Sequence, residues 1–139
     1  MYSETPNQKS ERLSNLSPFG ASTILIVDDN VDNLLLLSYA LEDLGHSTIQ
    51  GSCGSDAIEL AAKHRPDLIL LDILLPDMNG MTVVNHLRKQ PKTRRVPIIA
   101  VTALARPAEQ SKIIKAGFTN YIAKPYMLDE LYELIDRYL

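Results

Sequence analysis

Apolar and polar positions divide the chain into two unlike stretches. Over residues 1–22 neither a period of 2 nor one of 3.6 survives, and Leu13, Leu16 and Phe19 are scattered among five Ser, two Pro and two Asn. Such a stretch cannot offset its ordering entropy by burial and reads as a flexible N-terminal tail. From Thr23 onward, short apolar runs alternate with segments of helical period. Thr23–Val27 (TILIV), Leu68–Leu71 and Pro97–Val101 are near-continuous β-branched or aliphatic runs, and Ser47–Ser52 and Asn120–Ala123 are weaker strand candidates.

Helical spacing fills the intervals. Asp32–Leu44 carries Leu34, Leu37, Leu41 and Leu44 on one stripe, and Gly45 is placed to end it. Ser55–His64 turns Ile58, Ala61 and Ala62 inward before Pro66, and Met81–Lys89 does the same with Val83, Val84 and Leu87. Pro107–Ala116 has Pro in its first turn and Gly117 at its stop. Leu128–Leu139 closes the series with Leu128, Leu131, Tyr132, Ile135, Tyr138 and Leu139. Met127 precedes this last helix as a poor cap, although Asp129 and Glu130 favour its N-terminus. Strand and helix thus alternate five times. Continuous apolar strands are the mark of a parallel sheet covered on both faces, and right-handed crossovers then give a doubly wound α/β layer.

Composition narrows the function. Fourteen Lys and Arg against seventeen Asp and Glu leave a net charge of −3 over 139 residues, which argues against a chain built mainly to hold nucleic acid. A single cysteine, Cys53, excludes an internal disulfide and a thiolate zinc cage. No apolar run approaches the ~18–20 residues of a membrane helix. The N-terminus lacks the basic start and apolar centre of a secretory signal, so the cytoplasm is expected and no membrane partner is. Five basic residues fall in the eight positions from Arg88 to Arg95 (Arg88, Lys89, Lys92, Arg94, Arg95) and read as a solvated helix end and loop. Leu35 and Leu36 sit off the main stripe of the first helix. At least one of them is expected in the core, the other reading being a partner surface.

Ligands of an open parallel sheet bind outside the carboxyl ends of its strands. The residues just past those ends are Asp28 and Asp29, Asp72, Thr102 and Lys124. Any one of them could be a loop residue or a cap, but three carboxylates at one edge repel unless a cation joins them. An all-oxygen donor set with room for water suits Mg²⁺, and His46, His64 and His86 lie in or beside helices away from this edge, which disfavours zinc. Asp72, at the end of the central strand, can act as a nucleophile toward phosphorus. Thr102 offers a hydroxyl donor and Lys124 a mobile positive charge for a phosphoryl oxygen. These residue types suit phosphoryl transfer to a carboxylate, driven by positioning and charge neutralisation.

The motifs ILIVDDN, LILLDILLPDMNG, PIIAVTALA and AGFTNYIAKP, with the spacing between them, resemble the receiver domain of two-component response regulators, over about Thr23–Leu139. The resemblance is to the stand-alone and hybrid-kinase types. It implies a flavodoxin-like sheet of five parallel strands in the order 2-1-3-4-5 with five helices, a receiver domain at 23–139 behind the tail at 1–22. It implies a signalling switch and not an enzyme with a separate output. Asp72 would accept a phosphoryl group from a phosphohistidine on a histidine kinase or phosphotransfer protein. Asp29 and Asp72 would bind Mg²⁺ directly, Asp28 through water, and the Leu74 backbone carbonyl would be another ligand. Thr102 and the Ala103 N–H would hold phosphoryl oxygens, Lys124 would pair with them, and Tyr121 matches the switch aromatic. The signal would leave through the fourth helix, fifth strand and fifth helix to a protein partner, with no direct DNA binding expected. The Lys124–Pro125 bond is expected to be cis. The competing reading, a Mg²⁺-dependent phosphohydrolase with an aspartyl nucleophile, requires a second acid two residues after that nucleophile. Here Ile73 and Leu74 follow Asp72.

Overall fold

A computed structural model describes residues 22–103 and 106–139. Five strands, β1 (Thr23–Val27), β2 (Ser47–Gly51), β3 (Leu68–Asp72), β4 (Ile98–Thr102) and β5 (Asn120–Ala123), alternate with five helices. The helices are α1 (Val31–Asp43), α2 (Gly54–His64), α3 (Gly80–Arg88), α4 (Pro107–Ala116) and α5 (Leu128–Asp136). All strand pairs are parallel, in the order β2-β1-β3-β4-β5. The expected tail lies outside the described residues except for Ser22, whose carbonyl accepts the Ser47 N–H.

The period-2 rule of strands sorts the core into two layers. Leu25, Val27, Ile69, Leu71, Ile98 and Ala100 face Ala57, Ala61, Val83, Val84, Leu87 and Ile113 of α2, α3 and α4. Ile24, Ile26, Leu68, Leu70, Ile99, Val101 and Ile122 face Leu34, Leu37 and Leu41 of α1 and Leu131, Leu134 and Ile135 of α5. The three central strands are buried along nearly their whole length, so their uninterrupted apolar runs are the consequence of cover on both faces. The two edge strands are only partly buried, which accounts for their weaker pattern.

Three helical expectations need correction. In α2 the inward stripe is Gly54, Ala57 and Ala61, while Ile58 is half-buried and Ala62 is exposed. Ala62 lies about 100° around the helix from Ala61 and so turns away from the sheet. In α1, Leu35 and Leu36 are both exposed, at 41% and 57%. Leu34, Leu37 and Leu41 already fill the sheet-facing stripe, leaving Leu35 and Leu36 outside it. Finally, α5 stops at Asp136. Tyr138, just beyond, packs its ring against the second core layer and accepts a hydrogen bond from the Asn120 amide through its hydroxyl, 3.0 Å. Met127 makes no side-chain cap for α5, as expected, and Gly117 takes the left-handed conformation that ends α4.

Arg88 gives the basic cluster a structural member. Its guanidinium donates to the carbonyls of Gly117 (2.9 Å), Val96 (2.6 Å) and Arg94 (3.2 Å) and to Thr119 Oγ1 (3.2 Å). It thereby ties the end of α3 to the approaches of β4 and β5. Lys89, Lys92, Arg94 and Arg95 are exposed, as a solvated loop requires. Among the described residues, no helix is long and apolar enough to cross a membrane.

Candidate functional site

The strand order reverses direction at β1. One connection runs from β1 outward to β2 and the next runs back across β1 to β3, so a crevice opens beyond the carboxyl ends of β1 and β3. Asp28 and Asp29 follow β1, and Asp72 is the last residue of β3. Their carboxylates each contribute an oxygen within 4.8 Å of the others. Asp28 and Asp72 are buried and Asp29 is exposed, so the cluster is open on one side only.

The carboxylates are oriented by short, local bonds. Asp28 Oδ1 accepts the Asn30 N–H at 2.9 Å, and Oδ2 receives the Asn33 side-chain amide at 3.3 Å. Asn30 is also the N-cap of α1, accepting the Asn33 N–H. Asp72 Oδ1 accepts the Leu74 N–H at 3.1 Å. The backbone turns sharply at this point, and Gly80 returns beside it, its N–H on the Ile73 carbonyl at 2.7 Å. A Cβ on Gly80 would stand 2.8 Å from the Asp72 carbonyl oxygen, so glycine is needed for the close approach.

Lys124, past the end of β5, reaches across β4 to the acids. Its Nζ lies 2.9 Å from Asp72 Oδ2 and 3.5 Å from Asp28 Oδ2. Its own N–H extends the β4–β5 ladder to the Thr102 carbonyl at 2.7 Å, and the Lys124–Pro125 bond is cis, as expected. Partial burial alone would lower the Lys124 pKa, but the Asp72 hydrogen bond and the charges of Asp72 and Asp28 outweigh it and raise it. One ammonium still leaves three carboxylates uncompensated by two charges. An all-oxygen, histidine-free donor set of this kind suits a hard divalent cation.

Thr102 closes β4 and is almost wholly buried, and Ala103 follows it exposed. Tyr121 pairs with Ala100 in the ladder and packs half-buried against the first core layer. Every residue singled out at the strand ends is therefore brought to one edge. Three residues near these positions are not themselves at a strand end. Asn30 and Asn33 flank Asp28 in the first turn of α1, a spacing that is legible. Asp77, in the loop after β3, bonds a helix more than twenty residues away.

Residues 24–136 match the family described as response regulator receiver domain. The chain belongs to that family. Among similar proteins, the polar-differentiation response regulator DivK of Brucella anthropi is 39% identical over 117 residues, covering 84% of this chain and 95% of that one. The chemotaxis response regulator CheY4 of Vibrio cholerae superimposes with a TM-score of 0.81 at 28% identity, covering 86% of this chain and 99% of the other. The receiver domain of sensor histidine kinase PA1611 from Pseudomonas aeruginosa PAO1, with a magnesium ion coordinated in its active site cleft, gives 0.79 at 34% identity, covering 86% and 98%. The receiver domain described here is accordingly a phosphorylation-dependent signalling switch with the flavodoxin-like sheet expected of it. Its family works with histidine kinases or phosphotransfer proteins. The phosphohydrolase reading is not favoured.

Proposed function

We propose that this receiver domain takes a phosphoryl group from a phosphohistidine onto Asp72, with a Mg²⁺ ion held by Asp29, Asp72, the Leu74 carbonyl and, through water, Asp28. The observation that carries this is the Asp72 carboxylate within 4.8 Å of two further acids and 2.9 Å from the Lys124 ammonium. When bound, Mg²⁺ neutralises charge between the carboxylates and the incoming phosphoryl oxygens.

The step balances within the two proteins. An Asp72 carboxylate oxygen forms the new O–P bond, the P–N bond to the donor imidazole breaks, and that nitrogen keeps the electron pair. The Leu74 N–H holds Asp72 Oδ1 in place. Lys124 then exchanges its bond to Asp72 Oδ2 for a phosphoryl oxygen. Thr102 Oγ and the Ala103 N–H hold the remaining oxygens. Exposed Val31, Leu35, Leu36 and Tyr39 on α1, which begins two residues after Asp29, offer an apolar face to the donor protein. The signal leaves through α4, β5 and α5 as Thr102 moves toward the phosphoryl group and the Tyr121 ring repacks behind it. This is a shift between two packings, driven by the contacts of the phosphoryl group.

The test is incubation with acetyl phosphate, with and without Mg²⁺, followed by intact-protein mass measurement. One added phosphoryl group is expected only with Mg²⁺, and none in Asp72→Asn. An adduct that persists in Asp72→Asn would overturn the assignment.

A further inference from the structure

The loop between β3 and α3, residues 73–79, is tied at both ends of its length. At its base the Gly80 N–H bonds the Ile73 carbonyl, and Leu74 and Asn79 form an antiparallel bridge. At its tip the tie runs to a different part of the molecule. Asp77 Oδ1 accepts the Gly54 N–H at 2.7 Å. Asp77 Oδ2 accepts the Ser55 N–H at 2.9 Å and the Ser55 hydroxyl at 3.0 Å. These are the first N–H groups of α2, which have no partner inside the helix.

The local sequence explains the vacancy at that helix end. The N-cap of α2 is Cys53, whose sulfur accepts only the Asp56 N–H, at 3.5 Å. A thiol is a weak acceptor compared with the Ser, Thr, Asp or Asn that N-caps favour. A carboxylate 23 residues downstream takes the role instead. Next to it, Met78 lies so close over Gly54 that any Cβ there would collide with the Met78 side chain and stand 3.0 Å from Val83. Glycine at 54 leaves room for the Met78 side chain to lie over the start of α2.

We infer that Asp77 is a positioning residue for the cation site, clamping the β3–α3 loop to α2 so that the Leu74 carbonyl is held ready as a ligand. The inference rests on the proposed Mg²⁺ site. Asp77 touches neither the metal nor the phosphoryl group. Its role is to remove freedom from the loop that leaves Asp72, so that the Leu74 carbonyl need not be ordered when the ion binds. A purely structural cap would stabilise α2 and leave metal affinity alone.

The experiment is a Mg²⁺ titration of the whole unphosphorylated chain followed by backbone-amide NMR. Four proteins are compared: wild type, Asp77→Ala, Asp77→Asn and Asp56→Ala. Asp56→Ala weakens the same helix end, because Asp56 accepts the Ser52 N–H and hydroxyl, but it removes no hydrogen bond to the loop. Ordering the backbone of one residue is worth roughly tenfold in affinity, so Asp77→Ala is expected to weaken Mg²⁺ binding by about that factor. Asp77→Asn, which keeps one acceptor oxygen, should fall between it and wild type. Asp56→Ala should stay within about twofold of wild type, because Asp56 holds no part of the loop that carries Leu74. Amide relaxation should show added motion at residues 73–79 in Asp77→Ala, less in Asp77→Asn and none in Asp56→Ala. Equal Mg²⁺ affinity in Asp77→Ala and wild type, or an equal loss in Asp56→Ala, overturns the positioning role. Absence of saturable Mg²⁺ binding in the wild type overturns the cation site itself, and the positioning role with it.

Discussion

The Lys124 ammonium stands 2.9 Å from Asp72 Oδ2 and 3.5 Å from Asp28 Oδ2, bridging the ends of three strands across β4. This one contact joins Asp72, the proposed acceptor, to the acid cluster and to the strand that carries Tyr121. It is also the only ammonium that the described contacts bring to the two buried acids.

Replacing Lys124 by Met should therefore lower stability when divalent ions are absent. The lysine side chain keeps some solvent exposure, so the loss is expected at about 1–2 kcal/mol, below the ~3–5 kcal/mol of a fully buried broken pair. Mg²⁺ should raise the melting temperature of the variant more than that of the wild type, because the ion replaces the missing charge. Because the folded-state pKa of Lys124 is raised above its ordinary 10.5, its contribution is complete below that value and is lost as pH rises through the folded pKa. The wild type and variant should thus converge in stability at strongly alkaline pH. Thermal melts with chelator and with Mg²⁺ provide the check.

The Asp77 clamp has the opposite sign. Bonds from the Gly54 and Ser55 N–H groups hold its carboxyl down to about 2, from an ordinary 3.8. A depressed acid contributes stability above its unfolded pKa and loses it as pH falls through the folded one. The difference in urea midpoint between wild type and Asp77→Ala should be constant at neutral pH, shrink below about pH 4 and be lost as pH falls through about 2. A difference that persists unchanged into that acid range would show the ionised carboxylate to be irrelevant.

Arg88→Ala removes donors from the Gly117, Val96 and Arg94 carbonyls together. Hydrogen bonds from charged groups are worth roughly 1.5–3 kcal/mol, and the carbonyls regain water, so a loss of about 2–3 kcal/mol is expected. Arg88→Lys should not restore it, since a point charge cannot span a fork of carbonyls. Chemical denaturation of the three proteins tests both statements.

Phosphoryl lifetime should depend on Leu74, whose exposed side chain stands two residues past the acceptor. An apolar group there cannot orient an attacking water. One hydrogen bond to that water, about 1 kcal/mol net, corresponds to roughly fivefold in rate. Leu74→Asn should shorten the lifetime by about that factor, and adding Leu104→Glu should shorten it further. Leu104 itself lies outside the described residues. Loss of the phosphoryl mass with time is the readout.

Tyr121→Ala should leave acetyl-phosphate labelling of Asp72 intact while reducing the response of α4, β5 and α5. Couplings of this kind are typically ~1–3 kcal/mol, or about 5–150-fold in affinity. The check is the set of amide shifts that beryllofluoride induces across those elements, which should contract toward the site in the variant. Unchanged shifts would mean that coupling bypasses the ring.

Most of this molecule was legible one residue at a time. Runs such as Thr23–Val27 and Leu68–Leu71 state their own burial, because a strand covered on both faces has no position for a polar side chain. Asp28, Asp29, Asp72, Thr102 and Lys124 could be gathered from sequence because parallel strands deliver their carboxyl ends to one edge. Other features depended on distance in space. Leu35 and Leu36 resemble core leucines until α1 is seated and Leu34, Leu37 and Leu41 occupy the sheet-facing side. Arg88 looked like one charge in a basic loop until folding surrounded it with carbonyls from that loop and from the end of α4. The partners of Asp77 are set only when α2 arrives with a sulfur where an oxygen cap belongs. Hydrophobic periodicity is written locally because each element must bury one face. Which polar group answers an unpaired N–H or carbonyl is decided only when elements far apart in the chain are packed together.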